Sequence, residues 1–164
     1  MFVKKNPKIT GLATLRMTVQ RLRRTGRTIA FTNGCFDILH YGHVSYLQTA
    51  KQGNRVLIVG LNSDASVRAG KGPGRPVNPQ GARAQVLAAL SCVDYVTIFN
   101  EPTPIKLIRA LQPDVLIKGA DWKGKAVAGS DVVRARGGRV EFVKYVDRFS
   151  TTGTIAKILK QCGA

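Results

Sequence analysis

A chain of 164 residues with 44% hydrophobic side chains and seventeen glycines is long enough for one domain with a substantial core, and that composition excludes a disordered or fibrous protein. Twenty-six Lys and Arg against nine Asp and Glu leave a net charge of +17. Such a charge suits nucleic acid, an anionic surface or anionic small substrates without choosing among them, and no aromatic-interleaved basic motif singles out nucleic acid.

Residues 1–27 read as a helical leader packed on the domain formed by 28–164. Met1 to Ile9 has lysines and no apolar stretch of the kind a secretory signal needs. Leu12 to Arg24 carries Leu12, Leu15, Val19 and Leu22 at helical spacing, opposite Arg16, Arg21 and Arg23. Thr28 to Thr32 is a short β-branched and aromatic run that ends in Asn33-Gly34, a pair suited to a turn with positive φ. Helical spacing begins near Tyr41, with Val44, Leu47 and Ala50 three apart.

Arg55 to Leu61 is a second apolar run, and Asn62-Ser63-Asp64 ends it and caps a short helix. Val56 to Leu61 is the longest apolar stretch and is far too short to cross a bilayer. Gly70 to Gly81 is the longest loop, carrying Lys71 and Arg75. Ala82 to Leu90 is helical, with Val86, Leu87 and Leu90 inward and Arg83 on its early, polar part. Tyr95 to Phe99 is a third strand, after which Thr103 caps and Pro104 opens a helix over Ile105 to Leu111.

Asp114 to Lys118 is a fourth, buried strand ending in Gly119-Ala120-Asp121-Trp122, where Trp122 either covers a base or packs. Ser130 caps Asp131 to Arg136, Gly137-Gly138 stops that helix, and Arg139 to Val143 is a fifth strand. The tail has Arg148, then Ser150, Thr151 and Thr152 before a helix with Ile155, Ile158 and Leu159. Alternating strands and helices predict an α/β fold, a Rossmann-like doubly wound sheet of about five parallel strands. Cys35, Cys92 and Cys162 are odd in number and widely spaced, which suits free thiols in the cytoplasm.

Candidate chemistry concentrates between Thr32 and His43. A helix start after a glycine-bearing strand exit offers unpaired N–H groups and a positive dipole end to phosphate. His40 and His43, three apart, share one face, and Gly42 between them leaves room for an anion near the backbone. The bland alternative has one histidine capping and the other in solvent. A zinc site on Cys35, His40 and His43 lacks a fourth ligand. Hydroxyls at Ser150 to Thr152, beside the Arg148 fork, cap a helix and can also donate to phosphate.

Gly34 to His43, G-C-F-D-I-L-H-Y-G-H, resembles the signature of the cytidylyltransferase-like nucleotidyltransferase superfamily, and the likeness extends from Ile29 to about Leu159. Within it, K-G-P-G-R-P-V-N-P, I-K-G-A-D-W and F-S-T-T are most similar to heptose 1-phosphate nucleotidyltransferases. The S-T-T-G-T-I-A-K ending departs from the I-S-S-T-x-I-R of the pantetheine-phosphate branch. The resemblance implies transfer of AMP from ATP to D-glycero-D-manno-heptose 1-phosphate, with release of pyrophosphate, for lipopolysaccharide core or a related glycan. Mg²⁺ would arrive with ATP.

It further implies that Thr32, Asn33, Gly34, Cys35, Phe36, His40, Gly42, His43 and the Arg148 to Thr152 segment hold the nucleotide phosphates, and that Gly119, Asp121 and Trp122 line the base. Asp37, Lys71, Arg75 and Arg83 would arrange the sugar phosphate and the migrating phosphoryl, with His40, His43, Lys71 and Arg83 catalytic. Many relatives carry a fused sugar kinase; here the expectation is a separate kinase and phosphatase upstream, no nucleic acid or membrane partner, and a possible homodimer. Base choice and sugar anomer stay open, as do a cytidylyltransferase for glycerol 3-phosphate or ethanolamine phosphate and a basic nucleic-acid-binding module.

Overall fold

The computed structural model describes residues 6–146 and 149–163. Its elements alternate: α1 (Leu12–Arg24), β1 (Thr28–Gly34), α2 (Tyr41–Ala50), β2 (Arg55–Asn62), α3 (Asp64–Lys71), α4 (Gln80–Ala89) and β3 (Tyr95–Phe99). They continue with α5 (Ile105–Leu111), β4 (Val115–Gly119), a 3-10 turn at Ala120–Trp122, α6 (Ser130–Arg134), β5 (Arg139–Val143) and α7 (Thr151–Cys162). The five strands form one sheet in the order β3-β2-β1-β4-β5, and each neighbouring pair is parallel. The fold is Rossmann-like and doubly wound.

Strand alternation sorts the core into two layers. Ile29, Phe31, Val56, Ile58 and Leu116 face α1, α5 and α6 through Leu15, Val19, Ile108, Leu111 and Val133. Their neighbours Ala30, Leu57, Val59, Val115 and Ile117 face α2 and α4 through Tyr46, Leu47, Ala50, Ala84 and Leu87. Burial on both faces explains why these strands read as continuous apolar runs. The chain winds outward from β1 to β3, then crosses back to place β4 on the other side of β1. The carboxyl ends of β1 and β4 therefore flank the point where winding reverses, which is where open α/β sheets bind ligands.

Several local expectations shift. The positive φ expected at Asn33-Gly34 falls on Phe36 instead, at φ 42. Gly34 leaves room for the Phe36 ring, since a Cβ there would lie 3.0 Å from Phe36 Cε2, closer than ordinary contact. Ser63 does cap α3, accepting from Ser66 N, but α3 runs on to Lys71 before Gly72, at φ 86, ends it. Lys71 thus belongs to a helix end, and the loop is shorter than the 70–81 stretch suggested. In α4 the inward stripe is Arg83, Ala84, Leu87 and Ala88; Val86, at the edge of that stripe, is 49% exposed. Pro104, with no side-chain cap, takes the N-cap place of α5 expected for Thr103. Gly129 does so for α6, at φ 83, leaving Ser130 as its first residue.

Candidate active site

His40 stands at the N-cap position of α2 with an extended backbone, and its carbonyl accepts from His43 N and Val44 N. That start, followed by one helical turn, brings the imidazoles face to face, with centroids 3.8 Å apart and planes at 21°. Phe36 lies 5.2 Å from the His43 ring and Phe149 6.5 Å from that of His40, so aromatic walls close the pair on both sides. Gly42 supplies room for this stack. A Cβ there would come within 3.2 Å of His40 Nδ1 and 3.3 Å of Phe149 Cβ.

Burial holds both rings neutral. Desolvation lowers the pKa of His40. For His43, desolvation first, then the fields of His40 and Lys71, bring the pKa down to about 4 against an opposing contribution from the Ile38 backbone. Nδ1 of each ring is buried and makes no hydrogen bond among the described residues. Orphaned polar atoms at the mouth of a cleft are positions that a ligand can satisfy.

The cleft has two connected parts. A cavity of about 180 Å³ lies under the β1 exit, between Asn33, Cys35, His43 and Tyr145. An open groove of about 540 Å³ runs on past His40, Asp121 and Phe149 to Ser150, Thr151 and Thr152. Lys71, His43, Tyr145 and Thr151 line both. Ser150 caps α7 by accepting from Gly153 N, Thr151 donates to the Ile38 carbonyl, and Thr152 is exposed toward the groove. The expected Arg148 contact lies outside the described residues. A separate groove of about 480 Å³ between α1 and α5 is lined by Arg16, Arg23 and Arg109; it lies away from the switch point and carries neither histidine.

At the β4 side, the Tyr145 ring rests on Gly119, where a Cβ would come within 2.6 Å of Tyr145 Cζ. Tyr145 stacks on Tyr46 at 5.2 Å, and Tyr46 shares a hydrogen bond of 2.7 Å with the buried Thr32 hydroxyl. Trp122 turns its face to Lys118 Nζ, 5.3 Å from the ring centroid. Among the described residues no cluster of three His, Cys, Asp or Glu side chains is arranged to hold a metal ion, so Cys35, His40 and His43 do not form one.

A family model described as cytidylyltransferase-like matches residues 31–154, the span that holds the stacked pair, the cleft and the start of α7. The chain belongs to this family. The cytidylyltransferase-like chain is 52% identical over 152 residues to the bifunctional protein HldE of Syntrophotalea carbinolica, covering 93% of this chain and 31% of that one. It is 56% identical over 138 residues to the HldE of Campylobacter fetus, covering 84% and 29% respectively. It therefore spans about a third of the length of the curated relatives it matches. Among solved structures, a lipopolysaccharide core biosynthesis protein from Thermoplasma volcanium aligns with a TM-score of 0.59 and 26% identity, over 73% of this chain and 96% of that one. Pantoate-beta-alanine ligase from Francisella tularensis shares the fold at the same TM-score of 0.59 and 16% identity, over 93% and 79%.

Three charged groups expected in contact with substrate have protein partners in this cytidylyltransferase-like domain, although Nη2 of Arg75 is buried and makes no hydrogen bond among the described residues. Arg83 is 2% exposed. Its guanidinium donates to the carbonyls of Cys35, Asn62 and Asn78 and to Asp64, so it fastens the β1 exit to the β2 exit and the following loop. Asp37 is 4% exposed and accepts from Val77 N at 2.9 Å, Asn78 N at 2.9 Å and Arg75 Nε at 2.8 Å. It and Arg75 pin residues 75–78 to the turn after β1. Lys71 is the exposed cation that faces the cleft from the helix side.

Tyr46, Lys118 and Tyr145 also shape the site, and the sequence reading passed over them. Tyr46 lies three residues after His43 on the same helical face, and Lys118 is a charge inside an apolar strand at its carboxyl end. Those were usable signals. Tyr145 follows β5 in a segment with no pattern of its own.

The chain has two histidines, so imidazole NMR resolves both. His43 should titrate near pH 4 in the free protein and His40 below its ordinary 6.5, and an added triphosphate should raise both values. Because the folded pKa of His43 is below the unfolded one, its contribution to stability is present above pH 6.5 and is lost as pH falls toward 4. Two histidines titrating near 6.5 without ligand would contradict the buried stack.

Proposed function

We propose that the cleft transfers the adenylyl group of ATP to D-glycero-D-manno-heptose 1-phosphate, forming ADP-heptose and pyrophosphate. The observation that carries this reading is the stacked His40–His43 pair at the start of α2, opposite the hydroxyls that begin α7, at the switch point of the sheet. About 50% identity to proteins called bifunctional HldE supports the sugar, together with the I-K-G-A-D-W and K-G-P-G-R-P-V-N-P segments.

An oxygen of the sugar phosphate attacks the α-phosphorus in line, and the bond from that phosphorus to the bridging oxygen of pyrophosphate breaks. The nucleophile is already ionised, so no general base is required. His40 and His43 act as N–H donors to phosphate oxygens, and their hydrogen bonds strengthen as charge grows in the transition state. Neutral free rings suit this work, since they pay no desolvation of an imidazolium before the anion arrives. Lys71 brings a mobile charge to the same oxygens. Gly119, Asp121 and Trp122 stand on the side assigned to the nucleoside.

Mg²⁺ would enter bound to ATP and neutralise phosphate oxygens. The donor set fits an ion carried by its substrate, with Asp121 as the acidic side chain on the groove wall. The sugar 1-phosphate requires a kinase and a phosphatase upstream, and three free cysteines suit the cytoplasm, where ATP is made. No described helix is long and apolar enough to cross a membrane.

A pyrophosphate-release assay crossing ATP, GTP and CTP with heptose 1-phosphate, glycerol 3-phosphate and ethanolamine phosphate tests the reading. Release is expected with ATP and heptose 1-phosphate together. Release with CTP and glycerol 3-phosphate would transfer the assignment to a cytidylyltransferase. No release, with tight and salt-sensitive binding of nucleic acid, would favour the role that the charge of +17 alone suggests.

A further inference from the structure

Lys118 is 7% exposed, near the carboxyl end of β4 and beside β1. Continuing the β1–β4 register from Ala30–Val115 and Phe31–Leu116 brings Asn33 level with Lys118. Lys118 Nζ donates to Asn33 Oδ1 and lies 5.3 Å from the centroid of the Trp122 ring. The buried arginines of the region have carboxylate partners, Asp37 for Arg75 and Asp64 for Arg83. Lys118 makes no ion pair among the described residues, and a buried ammonium held by a neutral amide calls for another reason to be there.

An ammonium only donates hydrogen bonds, so this contact fixes which end of the Asn33 carboxamide is which. Oδ1 is turned to Lys118, and the Nδ2 group, which makes no hydrogen bond among the described residues, is left to the cavity that Asn33 lines with His43 and Lys71. A donor whose own carbonyl is bonded to a cation is also polarised to donate more strongly. We propose that Lys118 is a positioning residue that aims the Asn33 side-chain N–H groups at a phosphate oxygen of the nucleotide, making Asn33 a side-chain anion donor in addition to its backbone role. This rests on the nucleotidyl-transfer reading and adds a specific donor to it.

Burial, opposed by the field of Asp121, brings the Lys118 pKa down to about 8, so the positioning charge is present at neutral pH and fades above it. Asp121 is the charged group whose field reaches Lys118, and Cys35, Asp37, His43, Tyr46, Lys71 and Tyr145 line the cavity that Asn33 faces.

Calorimetric titration with inorganic pyrophosphate at pH 7 tests the proposal without any sugar or base. Asn33→Asp gives Lys118 a carboxylate partner, which would preserve or strengthen a purely structural contact, and it removes the donor; Asn33→Ala removes the donor without adding a charge that itself repels pyrophosphate. The expected result is a wild-type melting temperature or higher in Asn33→Asp, with pyrophosphate bound about tenfold or more weakly by both variants. Lys118→Met should weaken binding to a similar degree, and Lys118→Arg, which keeps a donor-only cation, should restore most of it and abolish the loss of affinity above pH 8. Wild-type affinity in Asn33→Ala, in Asn33→Asp or in Lys118→Met would overturn the proposal while leaving nucleotidyl transfer standing. A wild-type protein that does not bind pyrophosphate would overturn both.

Discussion

Replacing His43 with alanine is expected to lower kcat by about 100-fold or more, the usual cost of deleting a preorganised donor to a transition-state oxyanion. The effect should fall on kcat more than on KM, because the lost interaction is strongest when charge has moved to the departing pyrophosphate. His43 is packed between Phe36 and His40, so alanine also leaves His40 without its stacking partner. His43→Asn keeps a donor at similar reach and should recover part of the rate. Steady-state pyrophosphate release with both substrates saturating reads the loss, and thermal melting shows whether the fold survives. Turnover close to wild type in a folded His43→Ala protein would remove the histidine pair from the mechanism.

The parts of this site that could be read from the sequence are those with a local cause. Thr28 to Gly34 is β-branched and apolar, Gly34 must tolerate the Phe36 ring, and His40 and His43 fall one helical turn apart. Each fact is decided within ten residues. The two-layer core is legible for the same reason, since Ile29 and Phe31 alternate with Ala30 whatever lies across from them. The protein partners of Arg83 and Arg75 are not legible, because an arginine near a phosphate loop has the same sequence appearance whether its fork meets substrate or protein. What decides is Asp64, nineteen residues before Arg83, and Asp37, thirty-eight before Arg75. Lys118 and Asn33 meet across 85 residues only because β4 returns beside β1. Long-range pairing across the switch point builds this side of the cleft, and no window of sequence contains it.

Asp37→Asn should cost about 3 kcal/mol of stability at pH 7, the order expected when one partner of a buried ion pair is removed and the other charge stays behind. The Asp37 carboxylate accepts from two successive backbone amides and from Arg75, whose side chain is 14% exposed. An amide in its place keeps one acceptor and brings a donor toward groups that also donate, leaving the Arg75 guanidinium without its counter-charge. Burial by itself would raise the Asp37 pKa, but the amides of Asn78 and Val77 and the charge and hydrogen bond of Arg75 outweigh it and bring the pKa below the ordinary 3.8. The folded pKa is depressed, so this contribution is fully present above 3.8 and disappears as pH falls through the folded value. Chemical denaturation of wild type and Asp37→Asn should thus differ most at neutral pH and converge in strong acid. Equal midpoints at pH 7 would show that residues 75–78 are held to the β1 exit by something other than this carboxylate. The variant should also turn over more slowly through a loosened loop, because the same contacts set the turn from which Phe36 and the histidine pair face the cleft.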